Sequence, residues 1–167
     1  LTFPCFQTQK KMEVKIKIAP TLLRSLYTDS FNQIKKFTVD ISHSESLRLP
    51  DWGGNNMHWI VGHIVVSRCN FLMPLDISSI WEWSKCKLFI PGSKPSTDPY
   101  NHIEFATICA DLDRTQNQLN ELLLHVKESY MDVVHEGRTA AEHLATYAAH
   151  EFYHAGQLEL LRQWLRN

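Results

Sequence analysis

Apolar residues recur at helical spacing in three stretches of the chain, and a fourth stretch is apolar almost throughout. Leu22, Leu23, Leu26, Tyr27, Ser30, Phe31, Ile34 and Phe37 follow a three–four rhythm, which predicts an amphipathic helix. Pro20 opens it at a position where a missing N–H does no harm, and Lys35 and Lys36 sit in its last turn before an end near Val39. A second helix, NMHWIVGHIVVSRCNFLM, starts from a cap at Asn55 or Asn56 and is apolar on nearly every side, so it belongs at the centre. A third runs from about His102 to His125, with Ile103, Ala106, Ile108, Leu112, Leu119, Leu122 and Leu123 on its apolar side. The last spans Thr139 to Asn167, where Thr139 and Glu142 form a capping-box start and no proline intervenes.

The connections complete the outline. Ser42 to Gly54 is polar, with Pro50 and Gly53-Gly54, and reads as a link. Pro74 to Tyr100 is a long proline-rich loop with aromatic anchors at Trp81, Trp83, Phe89 and Tyr100; a loop of this length is expected to cover a site. Val14 to Ile18 alternates apolar and basic residues, a strand pattern without a partner strand, and is expected as an extended arm. Gly137 breaks the chain before the final helix. Four helices, one long crossover between the second and third, and no paired strands describe an all-α four-helix bundle. Residues 13–167 form this one domain, and residues 1–12 form a tail or arm; Met12 is a candidate natural start.

Composition narrows the function. The chain of 167 residues has a net charge of −1 and no basic stripe, which argues against a nucleic-acid partner. Cys5, Cys69, Cys86 and Cys109 are widely spaced with no CxxC, which suits reduced thiols and a cytoplasmic location. No apolar run is long enough to span a membrane, and the start lacks the order of a signal peptide.

The candidate chemistry is in the histidines. His150 and His154 are one helical turn apart, about 6 Å along the axis, and can close on one divalent metal. His143 shares their stripe but lies roughly 10 Å away, so it is an entrance or supporting residue, or simply exposed. Tyr147, between them, can donate a hydrogen bond into the same cavity. The second helix carries His58 and His63, which point about 140° apart and cannot both face one ion. His63 is the chosen third ligand, because Gly62 beside it allows close approach and Trp59 lies one turn earlier on its face. A core histidine bonded to a carbonyl is the alternative for either.

The segments NMHWIVGHI and HEFYHAGQL, in this order around a proline-rich crossover, resemble the DinB-like superfamily, whose relatives include YfiT-type metal-dependent hydrolases and thiol transferases. The resemblance covers about Val14 to Asn167. It implies an up-down-down-up bundle, a metal triad at His63, His150 and His154, zinc or nickel as the ion, and a homodimer. It also implies a small-molecule substrate with a low-molecular-weight thiol as co-substrate.

HEFYH also matches HExxH, the zinc-protease pattern in which the glutamate activates water. The pattern normally takes its third ligand from downstream, where Ala155 to Asn167 offer a single carboxylate side chain, Glu159; Gln157 and Leu160 stand where the extended form has glycine and histidine. A thiol transferase or hydrolase is the favoured class, and a non-catalytic metal- or ligand-binding bundle in stress response is the alternative. Glu151 is a candidate base or orienting group, with a solvent-facing charge slightly favoured. Tyr147, Gln157 and Trp59 are candidate substrate contacts.

Overall fold

The computed structural model describes residues 17–72, 77–100 and 103–167. The 1–12 tail, most of the Val14–Ile18 arm, Pro74 and His102 lie outside the described residues. The long helices are α1 (Pro20–Thr38), α3 (Met57–Leu72), α5 (Phe105–His125) and α7 (Ala140–Arg166). Short helical turns fill the links: α2 (His43–Ser46), α4 (Trp83–Cys86) and α6 (Glu128–Met131).

Side-chain pairings fix the topology. Tyr27 with Leu144, Ser30 with Glu151 and Arg162 with Phe37 climb α1 and α7 together, so these helices run parallel. Arg68 pairs with Glu151 and Phe71 with Tyr147, so numbering rises on α3 as it falls on α7. Contacts of His58 with Ile103 and of Arg68 with Thr115 make α3 and α5 parallel. The bundle is therefore up-down-down-up. Its parallel central pair can be joined only by a connection that returns along the bundle, which is what the long crossover does.

Local chemistry explains the boundaries. Pro20 opens α1, and Lys35 and Lys36 occupy its last turn. Asn56 caps α3: its Oδ1 accepts from the Trp59 amide at 2.9 Å, while its Nδ2 donates to Leu47 O and Ser96 O and ties two links to the helix start. Every α3 residue but Asn70 is buried, as its apolar sequence requires. Thr139 and Glu142 form the reciprocal box at the start of α7. A capping box at Ser42 and Glu45 likewise nucleates α2 inside the stretch expected to be a plain link.

Two expectations need correcting. A two-stranded hairpin, β1 (Val134–His135) with β2 (Arg138–Thr139), precedes α7 where no paired strands were expected. Glu136 and Gly137 both have positive φ, the tight turn that suits the twist of a hairpin, so Gly137 closes a turn as well as ending an element. Of the four crossover aromatics, only Trp81 and Phe89 are buried anchors. Trp81 donates from its indole to Asp111 at 2.7 Å, while Trp83 and Tyr100 are exposed.

Candidate metal centre

The i,i+4 geometry of α7 and the depth of α3 bring His63, His150 and His154 together. His150 Nε2 lies 3.2 Å from His63 Nε2 and 3.0 Å from His154 Nε2, and the three ligand atoms all fall within 4.8 Å of one another. Tetrahedral ligands at zinc–nitrogen bond length would stand about 3.3 Å apart.

The outer nitrogens decide what these inner atoms can be. His63 Nδ1 is 2.7 Å from Phe89 O, and a carbonyl only accepts, so that nitrogen carries the proton. His154 Nδ1 is 2.7 Å from Gln157 Oε1, and Gln157 Nε2 in turn donates to the Tyr153 hydroxyl at 3.1 Å. Two Nε2 lone pairs therefore face the same small space. Among the described residues His150 Nδ1 is buried without a hydrogen-bond partner, so none of them fixes its tautomer from outside. Acceptors crowded this way are satisfied by a shared cation, and neutral imidazoles suit a divalent first-row metal. The residues fit the ion.

The electrostatics agree. Burial lowers the pKa of all three histidines; the Phe89 hydrogen bond opposes this at His63, and the neighbouring His63 adds to it at His150. His154 is pushed down to about 4, by burial first, with the Gln157 bond acting in opposition. Near neutral pH each imidazole is free to ligate.

The other sequence candidates take varied places. Trp59 is buried, stacked on the His63 ring at 4.8 Å and 12°, and donates its indole N–H to Ser93 Oγ at 2.8 Å. It buttresses the His63 ring instead of facing open space. Gln157 orients His154. Tyr147 is half-buried, 6.4 Å from the His150 ring, and also lines a pocket of about 280 Å³ with Phe71, Tyr130, His135 and His143. His143 stands in that pocket wall, its Nε2 at 2.9 Å from His135 O. His58 is the core histidine bonded to a carbonyl, Ile103 O at 2.7 Å.

Glu151 is corrected. It is 1% exposed, not solvent-facing, and both of its oxygens are engaged: Arg68 Nε at 2.6 Å and Arg68 Nη2 at 2.8 Å, with Ser30 Oγ at 2.7 Å. A carboxylate so held is taken up by Arg68 and Ser30 in the core. The signal was present in the sequence. Ala141, Leu144, Ala148, Glu151, Ala155 and Leu158 keep the three–four spacing of the core stripe, and Arg68 is the one cation within the buried helix. Neither residue was paired with the other from sequence.

A four-helix bundle carrying a convergent three-histidine group fits a metal-binding protein. The chain belongs to the DinB superfamily, whose family model matches residues 26–158. It is similar in fold to a conserved protein of Enterococcus faecalis known from a crystal structure, with a TM-score of 0.69 at 15% identity, covering 90% of this chain and 98% of that one. No curated protein matches the chain. Among the described residues no helix is long and apolar enough to cross a membrane.

Proposed function

We propose that this protein binds one divalent transition metal, zinc or nickel, through His63, His150 and His154, and acts as a thiol S-transferase or hydrolase on small molecules. The observation that carries this reading is the convergence of three Nε2 atoms, two of them held as acceptors by Phe89 O and Gln157. When bound, such an ion supplies a Lewis acid that lowers the pKa of a coordinated thiol or water. Trp59 and Phe89 fix the ring of His63 and exclude water from behind it, while Gln157 holds the proton on His154 Nδ1.

The pocket lined by Tyr147 is a candidate place for a small substrate; at about 280 Å³ it is just under the usual range of about 300–1,000 Å³ for such sites. Tyr147 lines that pocket and its ring centroid lies 6.4 Å from that of His150, so its hydroxyl is a candidate to orient a substrate by hydrogen bonding. The buried ion pair counts against the protease reading, because Arg68 engages both oxygens of the carboxylate that would have to serve as base.

The test is turnover of small electrophiles by metal-loaded protein, with water alone and with several low-molecular-weight thiols. Thiol- or water-dependent rates abolished by a chelator and restored by the metal are expected. Stoichiometric metal binding without turnover would make the protein a binding module instead.

A further inference from the structure

We propose that the buried Arg68–Glu151 pair is a positioning device for the metal centre, fixing the rotation and axial register of α7 against α3 so that His150 and His154 meet His63. The inference rests on the metal-binding reading of that cluster. Glu151 directly follows His150, about 1.5 Å along the helix axis, and Arg68 lies on α3 beyond His63. Arg68 is five residues past His63, about 7.5 Å along the axis and about 140° around it, so the pair acts on the helices that carry the histidines and not on the rings themselves.

Arg68 is fully buried, and its planar fork meets Glu151 through two parallel bonds, which are sensitive to direction as well as distance. The other arm, Nη1, reaches Thr115 Oγ1 at 3.2 Å and Leu112 O at 3.4 Å on α5. Ser30 of α1 donates to the same carboxylate at 2.7 Å. All four long helices thus meet at one guanidinium–carboxylate contact beside the metal cluster.

Shape alone registers α7 poorly at this level. The core-facing neighbours of Glu151 are Ala148, His154 and Ala155, and the two alanine methyl groups interlock little with a facing helix. Net stability is a weak reason for the pair, because a buried ion pair can often be replaced by apolar residues at no loss. Fixing register is the best-attested use of such groups, and here the elements so registered carry the ligands.

The test compares wild type, the double variant Arg68→Met/Glu151→Leu and the single variant Arg68→Lys. Metal-free stability is measured by denaturant, Zn²⁺ affinity by chelator competition, and the imidazole nitrogen resonances of the metal-free protein by NMR. The double variant should unfold no more easily than wild type, yet bind Zn²⁺ about 10-fold or more weakly, the scale seen when the support of a ligand is lost. Its three histidine resonances should shift or broaden. Arg68→Lys keeps the charge without the fork and should also weaken binding while remaining folded. Wild-type Zn²⁺ affinity in a folded double variant overturns the proposal. Should the double variant fail to fold, Arg68→Lys decides, and unchanged affinity there overturns it. Were wild type itself not to bind Zn²⁺, the metal reading would fall, while unperturbed histidine resonances in the variants would separately sink the positioning role.

Discussion

The Phe89 ring fills the space that a Cβ on Gly62 would need, well inside van der Waals contact. The carbonyl of the same Phe89 accepts from His63 Nδ1 at 2.7 Å. One residue of the crossover thus both packs on the glycine before the ligand and orients the ligand. Gly62→Ala should displace Phe89, costing about 1–3 kcal/mol by overpacking. It should also lower metal affinity about 10-fold or more through the lost acceptor. Denaturant unfolding and metal titration read the two effects, and unchanged affinity would detach the crossover from the site.

Gln157 is the corresponding support on α7. Gln157→Leu removes the acceptor that keeps the proton on His154 Nδ1, and should weaken metal binding by about 10–100-fold with little change in helical content. Gln157→Glu restores a stronger acceptor and should recover or exceed wild-type affinity. Competition with a chromogenic chelator measures both, and equal affinities across the three proteins would remove Gln157 from the site.

Acid should act on the metal-free protein in two windows. The folded-state pKa of His154 is lowered to about 4, and those of His63 and His150 are lowered too, mainly by burial. Below the ordinary histidine value of about 6.5 the unfolded chain takes up protons that the folded chain refuses, so stability rises with pH in that range. Stability from these imidazoles is present above about pH 6.5 and is lost as pH falls toward 4. Glu45, lowered to about 2 by its capping bonds to Ser42, contributes in a separate window from its usual carboxylate range down to about 2. Urea midpoints from pH 7.5 to 3 should fall first in the histidine window. A His154→Phe variant should show a shallower fall there, and an identical slope would contradict the assignment.

What was legible in the sequence follows from what is local. The capping box at Thr139, the helical spacing of His150 and His154, and the apolar run of α3 depend on residues a few positions apart. Helical geometry forbids His58 and His63 from both facing one ion, and Gly62 beside His63 with Trp59 one turn earlier decided between them. The Arg68–Glu151 pair joins residues 83 positions apart, and only the packing of α3 on α7 shows that each satisfies the other. Trp83 and Tyr100 looked like anchors because aromatic type alone does not tell which side of a loop meets the bundle. The short hairpin was missed because its turn places Glu136, a residue with no preference for positive φ, beside Gly137.

Metal stoichiometry across five alanine variants, read by elemental analysis of purified protein, bears most directly on the three-histidine centre. His63→Ala, His150→Ala and His154→Ala should each lose most of the bound metal, while His58→Ala and His143→Ala retain it. Full occupancy in His63→Ala would contradict a site shared between α3 and α7.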